Sequence, residues 1–536
     1  MREPHSYADR SHGELQPRLS TLSTVAMAFA ILNTWIALAG SIGLILPSGG
    51  SVAFFYGFLF CVLCCLCVAA SLGELGAIWP TAGGQYHFVF ALCTERWRLP
   101  ASFFVGWTSI AGWLVVVTVQ AYFGALFISA AAVVASSDAY QITPARTYGI
   151  YLAILTLTTA VNIWGNRILG KWNDCALYWS VLGVLVISIV LLVKADKNDA
   201  EFVFTSFRNE TGWSDAFDVV LHMAEEMPDP ARDSPRAMIY AILVGGVTGS
   251  AFIIVILFCL TDPETILATT TGMPIIEMVL QATKSRSAAT ILSFMLSICF
   301  VNGCNASITS ASRLLFAMAR DRGIVFHDYF SHIQHGLNVP VRTIVLCYGF
   351  NVCFGLLYLG PTVAFSAYVA SVTIFLDISY AMPIVVLLIR GRDILNEHRG
   401  SQKAGLKMSK KLGLAVNVVA VVYLLVTSVP PKFFCFPIAL PVTGSSMNYV
   451  SVVLGIFTVL VTLYWLVFGR SFRGPVWITS QLLTDCDLCY RTWLLTQVRQ
   501  SFDIIPGLAT GEGETHPDLH LNRDETSEKA TVTRHE

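Results

Sequence analysis

Long apolar segments alternate with short polar segments over most of the chain. A helix needs about 20 apolar residues to cross roughly 30 Å of hydrocarbon, and the segments lack the period-two alternation of a membrane barrel. Eleven segments come close to this length: about residues 22–46, 52–72, 103–134, 148–164 and 175–193, then 237–260, 288–311, 341–359, 363–389, 412–429 and 449–468. The pattern predicts an all-α polytopic membrane protein. We number these segments spans 1–5 and 7–12, because the loop charges require a sixth crossing between the two groups.

The composition agrees with this class. Apolar residues make up 55% of the chain and charged residues only 13%, whereas soluble domains are about a quarter charged. The net charge of −1 gives no indication of a nucleic-acid partner. Most of the 14 cysteines fall inside apolar spans, so we expect no disulfide framework. Cys486 and Cys489 lack a second ligand pair, so we expect neither a metal site nor a cofactor.

Polar residues at both ends of the chain predict two tails around one membrane domain. Residues 1–20 have no apolar core before a cleavage site and are expected to form a cytoplasmic tail. The transmembrane domain is expected at residues 21–470. Residues 471–536 form a second predicted cytoplasmic tail, disordered from about residue 511 because large apolar side chains are almost absent there.

Three polar segments beside the spans carry distinctive patterns. The loop after span 2 reads GELGAIWPTAGGQY, where Gly83 and Gly84 allow a tight turn and Glu74 is expected to pair with a basic residue. The segment after span 8 reads SASRLLFAMARDRGIVF. The stretch before span 7 reads HMAEEMPDPARDSPRAM, and its prolines and charges exclude a long membrane helix. Its prominent loop residues are His222, Glu225, Glu226 and Arg232.

These segments resemble the signatures of fungal amino acid, GABA and choline permeases, a branch of the amino acid, polyamine and organocation superfamily. The resemblance implies a LeuT-like plan of twelve helices, with two inverted five-helix repeats followed by two further helices. It also implies proton-coupled transport of amino acids or small amines by alternating access. The substrate would lie where helices 1 and 6 break, with contacts from helices 3, 8 and 10.

The resemblance also assigns site residues. The substrate-binding candidates are Ala37, Ala39, Gly40 and Ser41 in span 1, Phe217 and Asp218 at the break of helix 6, and Asn305 and Ser307 in span 8. From the residues alone, the small side chains of span 1 fit close helix packing equally well, and Asn305 and Ser307 fit interhelical hydrogen bonds. Asp218 is a coupling candidate by this resemblance, and Asp377 is a second one because an ionisable side chain deep in a span usually faces a polar cavity or a partner. A structural hydrogen bond to another helix would explain Asp377 equally well.

Lys and Arg cluster in the loops after spans 2, 4, 8 and 10 and before span 7, which predicts that these loops and both termini are cytoplasmic. The chain must then cross once between Lys194 and Arg232. Only residues 217–223 match helix 6 there. Its outer half would have to come from residues 199–216, which carry several charges, so this helix is expected to be incomplete. Asn209 begins a sequon on the outer side and is a glycosylation candidate.

Two other classes of function remain to be compared. The incomplete helix 6 favours a sensor or degenerate transporter that cannot cycle. A membrane-embedded enzyme would need clustered His, Asp or Glu inside the spans, and this pattern is absent, so no enzyme is expected. The expected partners are the small-molecule substrate, protons and membrane lipid. The plasma membrane is the expected location, with the vacuolar membrane as the alternative; substrate, direction and oligomeric state are left open.

Overall fold

Eleven helices in the described part of the chain are long and apolar enough to cross a membrane, which confirms the predicted spans. The computed structural model describes residues 21–475 apart from residues 48, 80, 138, 166, 208–234, 270, 335, 400–405 and 429–448. The first five spans are Leu22–Gly43, Gly50–Ile78, Glu95–Ala135, Pro144–Trp164 and Leu169–Lys194. Spans 7 to 12 are Met238–Cys259, Arg286–Arg320, Val341–Leu359, Thr362–Arg390, Lys410–Ser428 and Val450–Ser471.

Spans 3 and 8 are longer than the apolar segments that predicted them. Span 3 begins at Glu95 and span 8 continues to Arg320. Hydropathy marks only the part of a helix inside hydrocarbon, and charged turns at the ends extend into water. The amino end of span 8 is capped by Ser285, whose hydroxyl accepts a hydrogen bond from the amide of Ala288 at 3.3 Å.

Short helices connect the spans. They are Gln85–Leu92, Ala200–Thr205, Pro263–Leu267, Pro274–Thr283, His327–Phe330 and Asp393–Arg399. Span 2 contains a π-helical turn at Ala53–Gly57. Among the described residues, extended pairing is limited to one isolated bridge between Gln334 and Val339.

Span 3 lies at the centre of the helix packing and runs along spans 8 and 10. Its glycines permit close approach: a Cβ on Gly112 would lie 2.6 Å from Leu376 of span 10. A Cβ on Gly106 would lie 3.0 Å from the sulfur of Met318 in span 8. Small residues at such crossings are what bring helices together in a membrane, where no hydrophobic force acts between them.

One face of the bundle is formed by the segments that follow spans 2, 8, 10 and 12, and we call it the basic face. His87, after span 2, contacts Asp321 at the end of span 8. The amide of Arg473, after span 12, donates to the carbonyl of Asp321 at 3.2 Å. Arg392, after span 10, pairs with Glu74 at the end of span 2. Three of the loops that the charge bias groups on one side, those after spans 2, 8 and 10, therefore lie on one face.

The opposite face gathers the other span ends. The amide of Asn198, after span 5, donates to the carbonyl of Phe258 at the end of span 7 at 2.7 Å. The amide of Val52, near the start of span 2, donates to the carbonyl of Ser206 at 3.2 Å. The Tyr148 hydroxyl in span 4 donates to the carbonyl of Val352 in span 9 at 2.9 Å.

These contacts require the chain to change faces between Ser206 and span 7. Ser206 lies on the opposite face, whereas the helix Pro235–Cys259 ends on that face and so begins on the basic face. The expected outer half of helix 6 began at Asp199, but the structure corrects this position. Residues 198–206 cap spans 2 and 7 instead, because Val203 is buried and Phe204 packs against Phe55 with ring centroids 5.6 Å apart.

Candidate substrate and coupling sites

Span 1 is interrupted in its middle by Asn33. The helices Thr21–Leu32 and Thr34–Ile45 meet at this residue, which has φ 45° and ψ 32°. Asn is among the residues that tolerate this left-handed conformation. The interruption leaves a helix end and a helix start with free backbone groups inside the membrane, where each unsatisfied group is costly.

Gln120 of span 3 satisfies part of this break. Its amide nitrogen donates to the carbonyl of Ile31 at 2.8 Å, and its oxygen accepts from Asn33 Nδ2 at 2.9 Å. Asn33 Nδ2 also lies 3.3 Å from the carbonyl of Cys299 in span 8. Asn33 and Gln120 are both buried, so these amides fix spans 1, 3 and 8 at one point.

Span 8 reaches this point through Gly303. A Cβ there would lie 2.6 Å from both Asn33 Nδ2 and Gln120 Oε1, closer than real Cβ contacts. The absence of a side chain at Gly303 is therefore a condition for the hydrogen bond between Asn33 and Gln120.

Spans 5 and 7 hold the helix that follows the break. The indole of Trp35 donates to Ser180 Oγ in span 5 at 2.9 Å and meets the ring of Phe252 in span 7 edge-on. A Cβ on Gly245 of span 7 would lie 2.6 Å from Thr34 Oγ1. Contacts with spans 5 and 7 thus fix the start of the second half of span 1.

The four small residues assigned to the break lie beyond it. Ala37, Ala39, Gly40 and Ser41 belong to the regular helix Thr34–Ile45, so the break lies about one turn earlier than expected. The Ala37 amide donates to the carbonyl of Asn33 at 2.8 Å, and Ser41 Oγ donates to the carbonyl of Ala37 at 2.8 Å. Gly40 faces span 3, where an added Cβ would lie 3.4 Å from the ring of Phe123, and the role of the four residues in binding stays a prediction.

Asn305 and Ser307, both in span 8, take part in helix contacts. Asn162 of span 4 donates from Nδ2 to Asn305 Oδ1 at 2.9 Å, and Ser307 Oγ donates to the carbonyl of Gly303 at 2.8 Å. Both residues are fully buried. Asn305 Nδ2 has no hydrogen-bond partner among the described residues, so a donor remains for a substrate. Their role in binding stays a prediction.

Asp377 lies in the middle of span 10 and is bonded to span 11. The hydroxyls of Thr427 and Ser428 donate to its Oδ2 at 2.8 and 3.0 Å. These are interhelical hydrogen bonds of the kind expected from the sequence as the alternative to a coupling role. An Asp at a helix centre costs roughly 2.5–3.5 kcal/mol on insertion scales, and a hydrogen bond to a charged group contributes about 1.5–3 kcal/mol. The two hydroxyls therefore offset the cost of an ionised Asp377.

Glu74 pairs with a basic residue, as predicted. Its Oε2 accepts from Arg392, and its Oε1 accepts from the amide of Met408 at 3.1 Å. The side chains of Glu74 and Arg392 are only 3% and 7% exposed, so the pair is shielded from water. Gly84 has φ 58°, which confirms the expected glycine turn in this loop.

Sequence reasoning missed a second buried cluster on the basic face. Asp321 Oδ2 accepts from the Tyr86 hydroxyl at 2.8 Å and contacts His87 Nε2 at 2.9 Å. His87 Nδ1 contacts Thr81 Oγ1 at 2.6 Å, and a Cβ on Gly83 would lie 2.2 Å from the imidazole. Two of the distinctive polar segments therefore meet in space. Their patterns indicated polar loops, but sequence spacing carries no information about this pairing.

Several predicted residues lie outside the described residues. They are Asn209, Phe217, Asp218, His222, Glu225, Glu226, Arg232, Cys486 and Cys489. In the part of the chain that the structure describes, no group of three or more His, Cys, Asp or Glu side chains is arranged to hold a metal ion.

Residues 19–459 match the family model described as Amino acid permease. The chain belongs to this family. A choline transporter of Saccharomyces cerevisiae is 28% identical over 488 residues, covering 85% of this chain and 82% of the relative. An amino-acid permease of Arabidopsis thaliana is 29% identical, covering 86% of this chain and 94% of the relative. A polyamine transporter of Saccharomyces cerevisiae is 26% identical, covering 85% and 76%.

The match covers both the break in span 1 and the helices around it. In this permease, the break is held by Gln120 of span 3 and approached by Gly303 of span 8. The chain is an integral multi-pass membrane protein, and the relatives named above are permeases or transporters.

Proposed function

We propose that this permease carries amino acids or related small amines across the membrane by alternating access, with the substrate held at the break of span 1. The observation that carries the proposal is the interruption at Asn33, in the middle of a span and enclosed by spans 3 and 8. Interrupted helices present backbone groups that bind a carboxylate or an ammonium in a dry environment. Asn305 Nδ2, Ser307 and the residues from Ala37 to Ser41 are the neighbouring candidates for further contacts.

The proposed driving force is a proton gradient, with Asp218 and Asp377 as coupling residues. Asp377 supports this because it is an ionisable side chain in the middle of a membrane helix with hydroxyl partners on another helix. The proposal is of secondary transport, which needs no covalent chemistry on the substrate and no enzyme active site.

The proposed organisation is a membrane domain at residues 21–470 between two cytoplasmic tails, in the plasma membrane, with the vacuolar membrane as alternative. The basic loops support a cytoplasmic basic face. Asn209 follows residues 198–206, which lie on the opposite face. It would then be exposed to the secretory lumen and could be glycosylated.

A second candidate function is a member of the family that binds substrate or senses it without cycling. The observation in its favour is that residues 198–206 are used on the opposite face, so the outer half of helix 6 would have to come from the charged residues 208–216. An incomplete helix 6 would leave the substrate site without the contacts that the break in helix 6 supplies.

Uptake of radiolabelled amino acids, GABA, choline and polyamines in a transporter-deficient host tests the proposal. We expect saturable uptake of one of these classes that is lost in Asn33→Leu. The matched control is Asn338→Leu, which puts the same side chain at an exposed left-handed position with φ 54°. Both changes carry about 1–2 kcal/mol of backbone strain, so a loss confined to Asn33→Leu reports on the break.

The proposal fails if no class is transported even when helix 6 is restored. Equal uptake by Asn33→Leu and the wild type would place the substrate site elsewhere.

A further inference from the structure

Asp377 lies in the middle of span 10. Span 10 runs from Thr362 to Arg390, so the residue stands about 20 Å from either end at 1.5 Å per residue. An ionisable side chain at this depth faces a partner or a water path and is a functional candidate.

Spans 2 and 11 contribute described neighbours of Asp377. Span 11 contributes the two hydroxyl donors, Thr427 and Ser428. Span 2 contributes Cys65 and span 11 Tyr423, which hydrogen-bond to one another at 3.7 Å and lie within electrostatic range of the carboxylate. These titratable neighbours are a thiol and a phenol, both neutral at physiological pH.

The position of Asp377 separates it from the substrate site. The break at Asn33 is held by spans 1, 3 and 8, whereas the donors to Asp377 come from span 11. The break at Asn33 and Asp377 each lie near the middle of their own span. Protonation at Asp377 can therefore act on the packing of spans 2, 10 and 11 without a proton passing through the substrate.

We propose that Asp377 is the proton-binding site of this permease, and that Thr427 and Ser428 are positioning residues that stabilise its ionised form. The inference rests on the proposed transport function and assigns proton binding to one of its two coupling candidates, Asp377, at a place outside the substrate site. In each cycle one proton joins a carboxylate oxygen of Asp377 from one aqueous side and leaves to the other. Only an O–H bond forms and breaks.

Both hydroxyls bond to the same oxygen of Asp377, Oδ2, so a change in the protonation of Asp377 alters both hydrogen bonds. On protonation of Asp377, one hydroxyl turns to accept the new O–H, which changes the link between spans 10 and 11.

Infrared difference spectroscopy on the purified full chain in liposomes tests the proposal without a substrate. We expect one component of the C=O band of protonated carboxyls to grow as the pH falls in the wild type and to be missing in Asp377→Asn, while the other Asp and Glu side chains contribute equally in both proteins. Ser379→Ala is the matched control, because Ser379 is a buried hydroxyl on the same span without a hydrogen-bond partner in the described residues. Thr427→Val and Ser428→Ala should move the midpoint of the band to higher pH, since they remove donors to the ionised form. An unchanged band in Asp377→Asn overturns the assignment.

Transport in the same liposomes separates coupling from binding. With radiolabelled choline, GABA, alanine or spermidine, a gradient of about one pH unit can support about tenfold accumulation if one proton accompanies one substrate. Asp377→Asn should lose this accumulation but retain exchange of labelled for unlabelled probe, whereas Ser379→Ala should retain both. Accumulation that persists in Asp377→Asn, or that follows a sodium gradient at equal pH, overturns the proposal. If no probe is accumulated or exchanged even when helix 6 is restored, the transport function fails, and the infrared titration still decides whether Asp377 binds the proton.

Discussion

Glu74 and Arg392 form a buried ion pair on the basic face. Its effect on stability is seen when only one of the two charges is removed. Removing one partner leaves the other charge buried and alone, which costs about 3–5 kcal/mol. We therefore expect Glu74→Gln to lower the thermal midpoint of the detergent-solubilised protein strongly. Replacing both residues together, as Glu74→Leu with Arg392→Met, should recover much of the loss because no unpaired charge remains.

The exposed pair Lys410–Asp393 provides the control. Its side chains are 73% and 70% exposed, and exposed pairs contribute about 0–1 kcal/mol. Asp393→Asn should leave the midpoint nearly unchanged. Equal effects of Asp393→Asn and Glu74→Gln would show that burial of the Glu74 pair has no energetic consequence.

Gly83 is predicted to be irreplaceable because the imidazole of His87 fills the space that a side chain would need. In Gly83→Ala the Cβ would displace His87 from Asp321, at an overpacking cost of about 1–3 kcal/mol. Gly149→Ala in span 4 is the control, since its Cβ would meet nothing within 4 Å. Thermal unfolding of both variants checks this, and a Gly83→Ala protein as stable as Gly149→Ala contradicts it.

At the scale of helices, the contact between spans 1 and 8 depends on Gly303. An Ala there would push against the Asn33–Gln120 hydrogen bond, so Gly303→Ala should reduce uptake and lower stability by about 1–3 kcal/mol. Gly455→Ala in span 12 adds the same methyl group where nothing lies within 4 Å and should be silent. The two variants are compared by initial uptake rate, in a form that transports, and by thermal midpoint. A silent Gly303→Ala would mean that the break tolerates a wider spacing.

The spans themselves could be predicted from the sequence because each must hold about twenty apolar residues, a local property of the chain. The position of the break in span 1 could not. Small residues from Ala37 to Ser41 suggested it, but the break is set at Asn33 by Gln120, a residue 87 positions away in sequence. The sequence indicated that Glu74 pairs with a basic residue. It could not identify the partner as Arg392, which lies 318 positions away and is brought close only by the fold.

At the scale of the whole molecule, the contacts and the charges agree on one feature. The contacts place Ser206 and the start of span 7 on different faces, and the basic loops require a crossing in the same region. Two independent properties, hydrogen bonding in the fold and loop composition, therefore indicate a sixth crossing. If both tails are cytoplasmic as proposed, epitope tags at either end should be detected in permeabilised cells only. Detection of the carboxyl-terminal tag in intact cells would contradict a twelve-crossing plan.

The last prediction concerns the length of that crossing. Residues 198–206 are held on the opposite face, so its outer half would have to be supplied by residues 208–216, which include Arg208, Glu210 and Asp215. Each such charge at a helix centre costs roughly 2.5–3.5 kcal/mol, more than the few apolar residues there offset. We expect the 536-residue chain to transport weakly and the transcript near the codons of Asp215–Phe217 to contain an additional in-frame apolar stretch of about twenty residues. Sequencing that transcript and comparing uptake by the two lengths checks both statements. A transcript that matches this chain, together with saturable uptake equal to that of intact relatives, would show that a shortened sixth crossing is sufficient.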